Sequence, residues 1–208
     1  MREVITERDI PLSGELKFKA GAIITMSARE VAAARGVTLT ELADGETAAA
    51  AGPADTIALG SDHGGFDLKE ALKPLFYELH LTVTDVGVHD TKPADYPDIA
   101  EQVARLVATG AAARGVIIDG AGIGSCMAAN KIPGVRAALC YDKASARNSR
   151  EHNDSNVLTL GSRLLTQTQA EEVLRVWVAT PFAGGRHLAR VQKISQIEQR
   201  YANWTPRN

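Results

Sequence analysis

Residues 115–131 read Gly-Val-Ile-Ile-Asp-Gly-Ala-Gly-Ile-Gly-Ser-Cys-Met-Ala-Ala-Asn-Lys. The apolar run at the start has the composition of a buried strand, it ends at Asp119, and a glycine-rich turn then opens a helical pattern. A turn of this kind leaves backbone N–H groups unpaired, so they can hold an anion or a developing oxyanion beside the carboxylate. The stretch therefore predicts a strand, a turn and a helix with the arrangement of an enzyme site.

From Thr56 onward, short β-branched runs alternate with helical patterns, which is typical of a parallel sheet covered by helices on both faces. The predicted strands are 56–61, 81–87, 114–119, 135–140 and 157–161. We therefore predict the α/β class, with a doubly wound, five-stranded parallel sheet in a Rossmann-like three-layer arrangement and a small N-terminal appendage.

The chain divides by composition into three parts. A stretch at 43–55, rich in alanine, glycine and proline, predicts a linker between an N-terminal extension, 1–42, and the main domain, 56–208. Within the extension, Ser27 and Glu30 have the spacing of a capping box at the start of a short helix. Gly36 is placed to end that helix.

The overall composition excludes several classes of function. A net charge of −2 over 208 residues gives no general attraction to nucleic acid. No segment approaches the roughly 20 apolar residues that cross a bilayer, and none resembles a secretory signal. Two cysteines cannot build a disulfide framework, and no metal-ligand spacing is found. We expect a cytoplasmic protein that binds neither nucleic acid nor membrane and needs no metal or cofactor.

Polar turns follow the predicted strands at the sheet edge where α/β proteins bind ligands. Asp62 and His63 leave the first strand, and the Asp62 carboxylate serves there either as a helix cap or as a functional group. His152 lies in a dense polar segment, 148–156, which favours an acid–base role over that of a buried structural histidine. Both turns are candidates for one cleft.

A basic segment precedes the last predicted helix. Arg186 and Arg190 lie at i and i+4 on one helical face, with His187 beside them. Two guanidinium groups near a helix N-terminus suit a phosphate group, although solvated surface arginines are an equal alternative.

The glycine turn also resembles part of a dinucleotide-binding fingerprint, because Asp142 lies 20 residues after Gly122. Ser125 stands where the last glycine of that fingerprint belongs, and the turn follows the third strand instead of the first. A dinucleotide site is therefore disfavoured.

Taken together, several motifs resemble the type B ribose-5-phosphate isomerases, a family that includes the galactose-6-phosphate isomerase subunits. The resemblance runs from about residue 56 to residue 201. Its motifs are Gly60-Ser-Asp-His-Gly-Gly-Phe66, Asp95-Tyr-Pro97, Gly120 to Lys131, Ser149-Arg-Glu-His-Asn-Asp154, Leu160-Gly-Ser162 and Gly184-Gly-Arg-His187.

The resemblance implies cofactor-free aldose–ketose isomerisation of a sugar phosphate, most directly ribose 5-phosphate to ribulose 5-phosphate, at sites shared across a homodimer or a dimer of dimers. His152 resembles the group that opens the furanose ring. The implied enediolate loop is Gly120, Ala121, Gly122, Ile123 and Gly124. The implied substrate contacts are His63, Arg186, His187 and Arg190 around the phosphate and Asp62, Tyr96 and Asn153 around the sugar.

The base is not inherited from the family, in which many members have cysteine at the position of Asp119 and others have glutamate at that of Ser125. We predict that Asp119 removes the C2 proton, because an aspartate can do so if it reaches that carbon. Cys126 is the alternative base. Ala121 replaces a hydroxyl-bearing residue that is common in the family.

Two further functions stay open for this scaffold. One is isomerisation of a hexose 6-phosphate or a tetrose phosphate, and the other is a catalytically inactive sugar-phosphate-binding or assembly subunit. Separately, 6–10 and 21–30 resemble N-terminal modules of bacterial microcompartment-associated proteins. That likeness implies a shell or cargo partner for 1–42 and a location inside a microcompartment.

Overall fold

The computed structural model describes residues 4–7, 10, 15–18, 21–41 and 55–202. The described part of the N-terminal extension contains four short strands and one helix. They are β1 (Val4–Ile5), β2 (Glu15–Phe18), β3 (Ile23–Ile24), α1 (Met26–Arg35) and β4 (Thr38–Glu41). The predicted linker lies outside the described residues except for Asp55.

The main domain alternates strands and helices along the chain. Its elements are β5 (Thr56–Ser61), α2 (Phe66–Glu78), β6 (Thr82–Gly87), α3 (Tyr96–Ala108), β7 (Arg114–Asp119), α4 (Ile123–Ala129), β8 (Ala137–Leu139), α5 (Lys143–Glu151), β9 (Val157–Gly161), α6 (Gln167–Ala179) and α7 (Leu188–Tyr201), with a 3-10 turn at Gly185–His187. In the described ranges, no helix combines the length and the apolar character needed to cross a bilayer.

The five strands of the main domain form one parallel sheet in the order β6-β5-β7-β9-β8. The predicted α/β class and five-stranded parallel sheet are confirmed. Four of the predicted strands agree with the observed bounds to within one residue. The fourth in sequence, predicted at 135–140, is shorter because β8 is an edge strand that pairs only through 137–139.

Alternate residues of the central strands face opposite helical layers, as the two-residue period of a strand requires. On one face, Val116 and Ile118 pack with the buried sides of α2 and α6. On the other face, Ile117 packs with the buried sides of α3 and α4. The sheet is therefore the middle of three layers, and its carboxyl edge collects the turns after β5, β7 and β9.

The extension has a small core of its own and a helix capped differently from the prediction. The core consists of Ile5, Ile10, Leu16, Phe18, Ala28, Ala32 and Val37. The capping-box prediction for Ser27 is wrong, because Thr25 is the N-cap and its hydroxyl accepts the N–H of Ala28 at 3.2 Å. The Ser27 hydroxyl instead donates to Glu7 at 2.7 Å. Gly36 ends the helix in the left-handed region, at φ 65°, as predicted.

Candidate active site

Asp119 ends β7 and is 4% exposed. Its Oδ1 accepts the N–H groups of Ala121, at 2.7 Å, and of Gly122, while its Oδ2 accepts the N–H of Ser125 at 3.0 Å. Gly122 adopts φ 75°, and a Cβ atom there would lie 2.5 Å from the Leu139 side chain, so only glycine fits. The carboxylate thus holds the glycine turn against the start of α4.

The turn predicted to bind an oxyanion contains two sets of N–H groups. In the first set, Ala121 and Gly122 donate their N–H groups to the Asp119 carboxylate. Within the described ranges, the N–H groups of Gly120, Ile123 and Gly124 have no hydrogen-bond acceptor. Ile123 and Gly124 open α4, where N–H groups lack intrahelical partners. These three amides are the ones free to receive an anion.

Asp62 follows β5 and is also largely buried, at 9% exposed. Its Oδ1 accepts the N–H of Gly65 at 2.8 Å, just before α2. A Cβ atom at position 65 would lie 2.1 Å from the carbonyl oxygen of Ile118, so the turn packs directly on the neighbouring strand β7. Asp62 is not the N-cap of α2, which is Gly65; its carboxylate instead closes the turn that leads into the helix.

The turns after β5, β7 and β9 are in contact with one another. The Ser162 hydroxyl donates to the carbonyl oxygen of Gly64 at 2.7 Å. A Cβ atom on Gly64 would lie 3.7 Å from the backbone nitrogen of Gly120. Asp62 and Asp119 are consequently brought to the same part of the sheet edge.

His63 and Tyr96 border this edge from the side of α3. The Nδ1 atom of His63 lies 3.2 Å from both the backbone nitrogen and the carbonyl oxygen of Ala94, two residues before Tyr96. The Tyr96 ring is packed so closely on α4 that a Cβ atom on Gly124 would lie 2.5 Å from its Cε2. The phenol therefore stands next to an open amide of the turn.

Arg163 is a residue of this site that the sequence reasoning missed. A Cβ atom on Gly120 would lie 3.5 Å from its Nε, and the Arg163 N–H donates to the Gly120 carbonyl at 3.0 Å. Its side chain is exposed, so the cation is available beside an open N–H group. Its position just after a strand that ends at the sheet edge is the signal that could have identified it. We call this group the loop cluster; its members are Asp62, His63, Tyr96, Asp119, Gly120 to Gly124 and Arg163.

The second polar group surrounds two histidines. The rings of His152, at the end of α5, and His187, just before α7, are stacked with centroids 4.2 Å apart and planes 5° from parallel. Asn148 Nδ2 lies 2.9 Å from His152 Nδ1, and Arg186 Nε donates to His187 Nε2 at 3.4 Å. We call this group the histidine cluster; its members are Asn148, His152, Asn153, Arg186, His187 and Arg190.

The histidine cluster is electropositive. Burial lowers the pKa of His187 below its usual value of 6.5, and His152 when protonated, Arg186 and Arg190 lower it further, against an opposing effect of Glu151. Such an environment disfavours a second imidazolium and favours a bound anion.

A buried ion pair holds the two sides of this cluster together. Arg150 is fully buried, and its guanidinium donates to Asp154 at 2.9 Å and to the Thr180 carbonyl at 3.3 Å. The N–H of Ala183 donates to the Glu151 carbonyl at 3.0 Å. The end of α5 and the segment that leads into α7 are thus one rigid support.

The structure brings the predicted site residues together as two groups rather than one. Among the described residues, no hydrogen bond, ion pair or ring contact joins the loop cluster to the histidine cluster. Cys126, the alternative base, directs its Sγ to the carbonyl oxygen of Ala137 on β8, at 3.4 Å. Of the two candidates, only Asp119 lies against the open amides.

The main domain is a three-layer α/β fold with open amides at its sheet edge, and solved structures of sugar-phosphate isomerases have the same fold. Residues 57–194 match the model of the Ribose/Galactose Isomerase family. This chain belongs to that family. Residues 1–56 lie outside the matched range.

Similar proteins agree with this assignment. The ribose-5-phosphate isomerase B of Escherichia coli is 43% identical over 144 residues, which are 69% of this chain and 97% of that protein. The D-erythrulose-4-phosphate isomerase of Pectobacterium atrosepticum is 37% identical over 144 residues, which are 69% of this chain and 95% of that protein. The structure of Clostridium thermocellum ribose-5-phosphate isomerase B aligns with a TM-score of 0.69 and 44% identity, covering 70% of this chain and 99% of that one.

Proposed function

We propose that this enzyme interconverts ribose 5-phosphate and ribulose 5-phosphate through an enediolate, without a cofactor. The observation that carries the proposal is the position of Asp119, whose carboxylate borders a turn with three open N–H groups. A base beside preorganised oxyanion donors is what proton transfer next to a carbonyl requires.

The hydrogen bonds of Asp119 leave one position for a proton. A carboxylate has about four lone-pair sites, two on each oxygen. Both sites of Oδ1 are taken, by the N–H groups of Ala121 and Gly122, whereas Oδ2 accepts only from Ser125. The remaining site of Oδ2 is therefore the base that removes the C2 proton and returns it to C1.

The open N–H groups stabilise the charge that this transfer creates. As C2 loses its proton, negative charge develops on the oxygen of C1, and Gly120, Ile123 and Gly124 supply the donors for it. The proton then passes from Oδ2 to C1 while the C2 hydroxyl proton moves to the C1 oxygen. Tyr96 and Asp62 border the sugar hydroxyls.

The histidine cluster supplies ring opening and phosphate binding. His152 acts on the furanose ring oxygen, and Arg186 and Arg190 bind the phosphate dianion, whose charge suits their electropositive surroundings. His63 and His187 complete the phosphate contacts. From the loop cluster, Arg163 adds a further cation beside Gly120.

The two clusters meet across a homodimer in this proposal, because they do not touch within one chain. Helix α7 supports it, because Ile194, Ile197 and Tyr201 share one face of the helix and are exposed, at 47%, 53% and 53%. In the proposed homodimer, this face is covered by the second copy of the chain in a self-complementary interface.

A complementation experiment tests the shared site. Asp119→Asn damages one cluster and His152→Gln the other, so each variant alone is inactive. When the two are refolded together in equal amounts, half of the dimers are mixed and each has one intact site, giving about a quarter of the original activity. If both clusters of a site came from one chain, the mixture would stay inactive.

A tetrose phosphate is the second candidate substrate, because the Pectobacterium relative is named for D-erythrulose 4-phosphate. NMR spectroscopy in deuterated water tests both candidates together. We expect ribose 5-phosphate to give ribulose 5-phosphate with deuterium incorporated, faster than erythrulose 4-phosphate or galactose 6-phosphate is converted. If another sugar phosphate were converted faster, that sugar phosphate would replace ribose 5-phosphate as the proposed substrate. If a sugar phosphate bound without deuterium exchange, the chain would be a sugar-phosphate-binding subunit.

The N-terminal extension is an interaction module in this proposal, with a microcompartment shell or cargo protein as its partner. It lies outside the family match, has a core of its own and exposes Val4, Ile23 and Met26. Removing 1–42 is expected to leave isomerase activity within about twofold and to abolish co-sedimentation with assembled shells. Retained co-sedimentation would dismiss this role.

A further inference from the structure

Asn148 begins the polar segment 148–156, and the sequence assigned it no role of its own. In the structure, a directional chain of hydrogen bonds joins it to the imidazole of His152. The chain begins at the backbone carbonyl of Asn148, which can only accept. Asn153 Nδ2 lies 3.3 Å from this carbonyl and 3.3 Å from Asn148 Oδ1. This carbonyl also accepts the N–H of His152 at 3.0 Å, and because an amide oxygen facing it would place two acceptors together, the Asn153 atom facing it is the amide nitrogen.

This anchor fixes the orientation of the Asn148 side chain. Since Asn153 donates to it, the Asn148 atom on that side is the oxygen, and the amide nitrogen points the other way. That nitrogen lies 2.9 Å from His152 Nδ1. An amide nitrogen only donates, so Nδ1 of His152 accepts, and the proton of the neutral ring is on Nε2.

The plane of the same ring is fixed from its face. The His187 ring lies 4.2 Å away and within 5° of parallel, and it is itself largely buried, at 8% exposed. Asn148 therefore determines the tautomer of His152, and His187 determines the orientation of its ring plane. No described residue hydrogen-bonds Nε2, so this is the nitrogen available to a ligand.

We propose that Asn148 is a positioning residue for His152, which it holds in the Nε2–H form so that this nitrogen presents a proton to the ring oxygen of a furanose substrate. The inference rests on the proposed function only for the identity of that substrate. The tautomer itself follows from the contacts of Asn148 and Asn153.

The step that depends on this arrangement is ring opening. The bond between C1 and the ring oxygen breaks and its electron pair goes to the ring oxygen, which the Nε2–H group stabilises by hydrogen bonding. The C1 hydroxyl proton passes to water as the aldehyde forms, and water returns a proton to the ring oxygen. The imidazole is unchanged at the end. Ribulose 5-phosphate needs no such step, because its O5 bears the phosphate and cannot close a furanose.

Nitrogen NMR of the histidine side chains tests the tautomer directly. Spectra of ¹⁵N-labelled protein are recorded at alkaline pH, with His152 assigned from His152→Gln. We expect Nε2–H in the original chain, Nδ1–H in Asn148→Asp, whose carboxylate only accepts, and a mixture in Asn148→Leu. Gln102→Glu, an exposed amide-to-acid exchange on α3, is the control and should leave the His152 signal unchanged.

Two reactions on the same proteins test the consequence. In Asn148→Asp, kcat for ribose 5-phosphate should fall about tenfold or more, within the range of acid–base contributions, while deuterium exchange at C1 of ribulose 5-phosphate changes less than about twofold. Finding the Nδ1–H form in the original chain overturns the inference. Finding the Nδ1–H form in Asn148→Asp together with an unchanged kcat for ribose 5-phosphate also overturns it. If neither sugar reacts with the original chain, the proposed function fails, and the spectra still decide whether Asn148 holds His152.

Discussion

In the loop cluster, carboxylates bind backbone N–H groups of nearby residues, whereas the histidine cluster is joined by a ring stack between His152 and His187, with side-chain hydrogen bonds inside each of the two segments. Asp119 accepts N–H groups from the residues two, three and six positions after it and is almost fully buried. His152 and His187 belong to different elements and are held by a ring stack and single hydrogen bonds.

This difference has an energetic consequence. Removing a buried acceptor from several N–H groups leaves them unsatisfied, which costs folding free energy as well as function. Trimming an exposed cation at the end of a helix removes an interaction with a ligand and little else. Substitutions of the buried carboxylate in the loop cluster should therefore lower both stability and turnover, and those of the exposed arginines in the histidine cluster should lower binding alone.

Asp119→Asn should have the largest effect. The amide nitrogen replaces an acceptor, so at least one N–H group of the turn faces another donor, which costs about 1–3 kcal/mol of unfolding free energy. Loss of the base should also lower kcat by roughly 10²–10⁴-fold. Urea unfolding and steady-state kinetics measure the two effects on one preparation.

Asp98→Asn is the matched control, because Asp98 is an exposed carboxylate in the first turn of α3. It should change unfolding free energy by less than about 1 kcal/mol and leave kcat unchanged. An Asp119→Asn protein of full stability would show that the turn does not depend on the carboxylate. An Asp119→Asn protein with full kcat would show that another residue is the base.

Arg186→Ala should have an intermediate effect, confined to binding. Losing a charge-assisted hydrogen bond to phosphate costs about 1.5–3 kcal/mol, so KM should rise on the order of 10–100-fold. The midpoint of thermal unfolding should stay the same, because Arg186 is exposed. Arg105→Ala, an exposed arginine on α3, is the control with unchanged KM. If Arg186→Ala lowered stability and left KM unchanged, the expected difference between the loop cluster and the histidine cluster would be contradicted.

The loop cluster was the more predictable of the two because it is local. A strand ending at Asp119 and a glycine turn opening a helix can be read from consecutive residues, and the five parallel strands follow from the same kind of pattern. What the sequence could not give is which N–H groups Asp119 uses, since that depends on its side-chain orientation. Only the structure shows that Ala121 and Gly122 donate their N–H groups to Asp119, whereas the N–H group of Gly120 stays open among the described residues.

The histidine cluster depends on tertiary contacts that no local pattern records. The segment around His152 was recognisable as polar, but its stack on His187 brings together residues 35 positions apart, on elements that Arg150 also joins through the Thr180 carbonyl. Asn148 was part of the polar segment and carried no signal of its own. At α1, the nearby Thr25 took the cap that Ser27 was predicted to supply, an error of two residues within one turn.

The smallest expected effect concerns His187 and pH. Its pKa in the folded chain is below the usual 6.5, mainly through burial and through the neighbouring positive charges. As pH falls below 6.5, the unfolded chain binds this proton before the folded chain does, so His187 destabilises the fold progressively until pH passes below the folded pKa. Above 6.5 the effect is absent.

His187→Phe should remove this pH dependence, because the ring stack is kept and the titrating group is lost. The midpoint of thermal unfolding should fall less on acidification in this variant than in the original chain, whereas His89→Phe, at an exposed histidine, should behave like the original. Arg186→Ala should raise the pKa of His187 towards its usual value, since one opposing charge is gone. If NMR titration instead finds the His187 pKa unchanged in Arg186→Ala, the positive field that the phosphate proposal relies on does not come from this arginine.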